Sequence, residues 1–247
     1  MSVSSTAVNT PSDVAGTLLN KHRPRVREHR GAATTAGVLY IIGTVSGFLS
    51  LAVSSPVGDS ADPLASASTH QGSVVTGAML VLVMGLSLAL IPVVLFPILR
   101  RVNEVLAVGY LVLRGAVETT CYVLLAVSWL LFASLGGVTQ GSDGVGSWLG
   151  DTLFNAEAPN TVLALVFCLG ATFFYVALYR SRIVPRWISV WGLAAIPLYV
   201  AAAMLAAYGV VGAAATGQVL LFMPMAVQEM VLAVWMIARG FRPAKNS

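Results

Sequence analysis

Three charged residues, Arg114, Glu118 and Glu229, stand inside long apolar runs of the chain. An ionisable side chain near the centre of a bilayer costs about 2.5–3.5 kcal/mol to insert on translocon scales. Such a residue is expected to face protein or a water-filled cavity and to be paired. Arg114 and Glu118 are four residues apart, which places them one turn from each other on one helix face. Tyr110 precedes Arg114 by a turn and Tyr122 follows Glu118 by a turn, so the four form a polar stripe. Glu229 stands beside Gln228 in the last apolar run. Arg114 is ten residues from Glu104, and Glu229 is ten residues from Arg239. At about 1.5 Å per residue both lie ~15 Å deep, so a bridge between the two helices is geometrically allowed.

One arginine then faces two carboxylates. Arginine keeps its charge, so neutrality asks one glutamate to hold a proton. A protonatable carboxyl at the membrane midplane suits a small-solute or proton-linked carrier. It also suits an intramembrane acid catalyst acting on a lipid or isoprenoid. A third reading is a scaffold in which the cluster is a structural clasp that fixes helix register. The carrier is placed ahead of the enzyme.

The elements that must position this cluster follow from composition. Of 247 residues, 57% are hydrophobic and 10% charged, and mean hydropathy is +0.84. Soluble domains carry about 25% charge, so the chain belongs in a bilayer. Six apolar runs, near Thr34–Ser54, Val74–Leu99, Val105–Leu135, Asn160–Tyr179, Trp187–Tyr208 and Gln218–Ala238, are each long enough to cross ~30 Å as a helix. No alternating pattern suggests a membrane β-barrel. The expected fold is therefore all-α, a polytopic bundle of six transmembrane helices. Residues 1–33 are expected to be a disordered basic tail, 34–238 the membrane domain and 239–247 a second short tail.

Every Lys and Arg except Arg114 lies outside these runs, in four groups that six spans bring to one side. The groups are Lys21 to Arg30, then Arg100 and Arg101, then Arg180, Arg182 and Arg186, then Arg239, Arg242 and Lys245. The opposite connections hold Asp59, Asp62, Asp143, Asp151 and Glu157 and no cation. By the positive-inside rule both termini are expected to be cytoplasmic. The net charge of +4 then reports topology and not nucleic-acid binding. The expected partners are the bilayer and its anionic headgroups, met by Arg100, Arg101, Arg180, Arg182 and Arg186. Trp187, Trp191, Tyr175 and Tyr179 read as an aromatic belt at that interface. The two long connections, near Ser55–Ser73 and Gly136–Pro159, read as solvated connectors more than as a cover for a cavity.

Gly43 and Gly47 form a small-xxx-small pair, expected to mark close packing within the bundle; an oligomer stays open. Pro92, Pro97, Pro197 and Pro224 stand inside spans, and Pro224 lies one turn before Gln228. Cys121 and Cys168 sit in apolar runs and make neither a disulfide framework nor a zinc site. His22, His29 and His70 lie outside the spans, which disfavours a haem held by two histidines. No metal site and no cofactor are expected, and no phosphate-binding or hydrolase motif is present. A weak internal echo, Ala116-Val117-Glu118 against Ala226-Val227-Gln228-Glu229, fits a three-plus-three arrangement of opposed halves.

Three stretches carry a family resemblance. The first is Phe96-Pro97-Ile98-Leu99-Arg100-Arg101-Val102-Asn103-Glu104 with Ala107-Val108-Gly109-Tyr110, Arg114 and Glu118. The second is Phe174-Tyr175, Leu178-Tyr179-Arg180-Ser181-Arg182 and Val184-Pro185-Arg186-Trp187-Ile188-Ser189-Val190-Trp191-Gly192. The third is Gln228-Glu229-Met230-Val231-Leu232-Ala233-Val234-Trp235. The chain resembles a bacterial six-helix membrane family known as domain of unknown function 4386, which makes a bacterial inner (plasma) membrane its expected location. That family's pattern often has Tyr where Phe96 stands. The resemblance implies six spans and assigns no activity.

Overall fold

The computed structural model describes residues 11–60, 62–135, 148, 150–155, 157–210 and 216–241. Asp143, Arg242 and Lys245 lie outside these. All described elements are helical, and six helices are long and apolar enough to cross a membrane. The spans are Arg30–Gly58, Gln71–Leu99, Glu104–Leu135, Asn160–Ser181, Arg186–Ala207 and Leu220–Arg239. The chain is a multi-pass membrane protein.

The first helix runs Pro11–Gly58, so helical backbone begins inside the stretch expected to be a disordered tail. Residues 13–30 include four Arg, two Leu and one each of Ala, Lys and Glu, which favour helix. The third span opens on Asn103, whose side chain accepts the backbone N–H of Leu106 at 3.0 Å. The helices continue through Pro92, Pro97, Pro197 and Pro224. Between the fourth and fifth spans the chain turns at Arg182, which has a φ of 55°, in the left-handed region that non-glycine residues seldom enter.

Consecutive spans pack against each other, and the sixth packs against the first, closing the circuit. Small residues allow the close approaches. A Cβ on Gly43 would meet the Leu88 side chain at 2.9 Å, and one on Gly47 would meet Met84 Sδ at 2.7 Å. The Gly43/Gly47 pair thus seats the first span on the second, inside the bundle. Gly37 meets the backbone oxygen of Ala233 at 2.7 Å on the same test, which seats the first span on the sixth.

Two cores result. One joins all six spans at the end that carries the arginines. It includes Tyr40, Leu99, Tyr110, Leu178, Ile188 and Met236. The other lies at the opposite end and draws on the first three spans and the connecting segments only. There Phe154 stacks on Trp129 at 4.7 Å and tilts against Phe132 at 5.5 Å. Trp129 Nε1 donates to the Phe154 carbonyl at 2.9 Å, and the Ser128 hydroxyl donates to the Leu153 carbonyl. The short helix Pro63–Thr69 buries Leu64 and Ala67 in the same core.

The connections are therefore more than solvated linkers. A π-helical piece, Gly150–Asn155, straps the ends of the first and third spans together. Leu64, Leu153 and Phe154 of these loops dock in this core.

Candidate functional site

The third span contains a wide turn. Residues Leu111–Val117 are π-helical, and the Glu118 N–H reaches back five residues to the Leu113 carbonyl. Single π turns inside α-helices are frequent at functional sites. The Thr119 hydroxyl donates to the Arg114 carbonyl at 3.3 Å, giving that carbonyl a partner. Gly170 of the fourth span admits the bulge: a Cβ there would sit 3.5 Å from Arg114 N. On the other side, Gly115 lies against Pro92 of the second span.

From this turn Arg114 points into the bundle, where it is 2% exposed. Its Nη1 is 3.2 Å from Glu118 Oε1 and its Nη2 is 3.3 Å from Glu229 Oε1. The two matched depths read from the sequence thus meet across the bundle. Glu118 is fully buried, and its Oε1 also accepts the Tyr122 hydroxyl at 3.3 Å. The guanidinium lies over two rings, with Cζ 4.8 Å from the Phe167 centroid and 5.8 Å from that of Tyr40. Two polar atoms of the cluster, Arg114 Nε and Glu118 Oε2, are buried without a hydrogen bond. Leaving such an atom unsatisfied costs about 1–3 kcal/mol, more when the group is charged.

Glu229 differs from its partners. It is deep within the bundle, yet its side chain is 17% accessible. Of the three charged groups it is the one that keeps measurable accessibility. Tyr122 and Tyr199 share this character, being deep and only half-buried. Both lie on the side of the cluster away from the arginine-bearing end. On the other side, Tyr40, Tyr110, Phe174 and Tyr175 are each 1% exposed.

Not every residue of the expected cluster joins it. Gln228 turns away from Arg114: it accepts the Tyr175 hydroxyl at 2.5 Å and donates to the Ile188 carbonyl at 3.0 Å. It ties the fourth, fifth and sixth spans together. Tyr110 stacks on Phe174 at 4.5 Å and does not bond to Arg114. Tyr175, read as part of the interfacial belt, is an interior residue, its ring packed on Gly192 at 2.8 Å from where a Cβ would stand. Trp187 and Tyr179 are exposed, as a belt requires. Arg100, Arg101, Arg180, Arg182 and Arg186 are exposed at one end of the bundle. Arg186 lies over the Tyr179 ring at 5.0 Å.

Tyr40, Phe167 and Tyr199 belong to the site and carry no signal in the sequence that sets them apart from ordinary core residues. Among the described residues no group of His, Cys, Asp and Glu is arranged to hold a metal.

A family model described as a domain of unknown function, DUF4386, matches residues 35–240, and the chain belongs to that family. No curated protein and no solved structure matches the chain.

Proposed function

For this member of the DUF4386 family, we propose a proton-linked carrier of a small solute, with Glu229 as the site that exchanges its proton. The observation behind this reading is the 17% accessibility of a carboxyl group deep in the bundle and bonded to a buried arginine. The position of that group adds support. It lies where the core common to six spans gives way to a core of three.

The chemistry follows from charge. With both glutamates ionised, one guanidinium faces two negative charges. Protonating Glu229 leaves Arg114 and Glu118 as a neutral pair and removes the ionic link between the third and sixth spans. Solute or proton at Glu229 then biases the halves between two packings, because the populations shift toward the state with the stronger contacts.

The positive-inside pattern supports a bacterial inner membrane topology with both termini cytoplasmic and Glu229 accessible from the outer side. Arg100, Arg101, Arg180, Arg182 and Arg186 then meet anionic headgroups of the inner leaflet. Protein reconstituted in vesicles should take up its solute faster with an imposed pH gradient, and Glu229→Gln should abolish this response. Uptake indifferent to the gradient across a broad solute panel contradicts the reading.

The near-complete burial of Arg114 and Glu118 favours a second reading, a clasp that only holds helix register. It predicts full function from the triple variant Arg114→Gln, Glu118→Gln, Glu229→Gln. The carrier predicts a folded protein without uptake. An apolar groove of about 650 Å³ runs along the sixth span, with Thr44, Phe48, Trp187, Met223, Val227 and Trp235 in its wall. Its lining residues include no carboxylate, so an acid-catalysed reaction on lipid gains no support from it.

A further inference from the structure

The surroundings of Glu229 have a chemical character of their own. On the fourth, fifth and sixth spans, three rings contact one another in series. Phe167 and Tyr199 have centroids 5.0 Å apart at 50°, and Tyr199 and Phe222 are 4.3 Å apart at 47°. Tyr199 lies within the electrostatic reach of Glu229. The protein's own cation already uses this surface, since the Arg114 guanidinium sits over Phe167. Aromatic faces attract a desolvated cation, and the Glu229 carboxylate, bonded to the same guanidinium, adds a counter-charge.

The sequence has the same preference on that side. The connections there carry Asp59, Asp62, Asp143, Asp151 and Glu157 and no Lys or Arg. An excess of one sign of charge concentrates the opposite charge.

We propose, resting on the carrier reading, that the solute is an organic cation with an apolar body. Its charged nitrogen pairs with Glu229 in place of Arg114, and its body lies against Phe167, Tyr199 and Phe222. Arg114 then keeps Glu118 as its only counter-ion. Binding releases the Glu229 proton, so one cation enters for each proton that leaves, and the charge of the site is unchanged.

The test is equilibrium binding of benzyltrimethylammonium to the full chain in lipid nanodiscs. Benzylsulfonate serves as a probe of similar shape and opposite charge. The cation is expected to bind and the anion is not, and affinity for the cation should fall as pH is lowered because protons compete for Glu229. Glu229→Gln should weaken binding by about tenfold or more, equivalent to ~1.4 kcal/mol. This variant keeps a neutral Arg114–Glu118 pair, so its fold is expected to survive, as its thermal melt will show. Tyr199→Leu should weaken the cation without altering its pH response. Equal binding of both probes, or cation binding unchanged in Glu229→Gln, overturns the proposal. Proton-driven uptake of a neutral or anionic solute, with no binding of benzyltrimethylammonium, overturns the cation assignment and leaves the carrier standing. Cation binding at Glu229 in a protein that moves no solute upholds the site and removes the carrier.

Discussion

The two ends of the bundle are packed in different ways, and the cluster stands between them. At the arginine-bearing end, residues of all six spans share one core, and Gln228 stitches the last three together through Tyr175 and the Ile188 carbonyl. At the other end, the first three spans close around Trp129, Phe132 and the strap residue Phe154. Among the described residues, none from the last three spans belongs to that core. The buried apolar residues there on the fourth and fifth spans are small: Ala164, Ala202 and Ala203. One end is thus a single body and the other is two. Interior packing is close to crystalline in density, so packed cores switch between discrete arrangements and do not deform smoothly. The end with two bodies is the end free to change, and the Arg114–Glu229 bridge is the polar link across the division.

The largest predicted effect falls on that link. Arg114→Gln removes the only cation from two buried carboxyl groups. Breaking a buried ion pair by removing one partner costs about 3–5 kcal/mol, so folded yield in detergent should collapse. Adding Glu118→Gln and Glu229→Gln should return the yield. If Arg114→Gln alone folds as well as the parent, the cluster is not the tie between the halves.

The strap comes next. Phe154→Ala deletes a ring that is 6% exposed and stacked on Trp129. Large-to-small changes at such sites cost about 3–5 kcal/mol in soluble cores. Hydrogen exchange should rise at Trp129, Phe132 and the start of the second span, while Leu178, Ile188 and Met236 stay protected. Equal loss of protection at both ends would show that the division is not real.

A smaller effect separates two glycines. Gly37→Ala sets a methyl 2.7 Å from the Ala233 backbone oxygen at the sealed end, where backbone must move. Overpacking of this kind costs about 1–3 kcal/mol. Gly170→Ala beside the wide turn meets Leu113 and Arg114 at 3.4 Å or more, ordinary contact distances. Its melting temperature should stay within a degree or two of the parent.

Much of this arrangement is legible in the sequence, for physical reasons. A charge within an apolar run has few ways to be accommodated, so Arg114, Glu118 and Glu229 stand out, and counting residues from the flanking charges predicts that Arg114 and Glu229 share a depth. The absence of cations from alternate connections orders the spans. Other features leave no such trace. Nothing in the sequence of Leu111–Val117 distinguishes a π turn from an α turn. Aromatic residues in an apolar helix look alike until packed, so Tyr175 reads as a belt residue and Tyr40, Phe167 and Tyr199 as anonymous core. Gln228 adjoins Glu229 in sequence, yet neighbours on a helix point about 100° apart, and the two serve different contacts. The strap is missed because a single Phe in a polar loop weighs little against its Gly, Ser and Asp neighbours.

The central claim, one sealed end and one divided end meeting at Glu229, is tested most directly by cysteine labelling in native vesicles. Cys121 and Cys168 are first replaced with alanine. Phe222→Cys and Tyr199→Cys should then react with a membrane-impermeant maleimide added from one side only, and Tyr175→Cys and Leu178→Cys should not react from either side. Unreactive thiols at positions 222 and 199, or reaction at 175 and 178 as fast as at those two, would contradict the account.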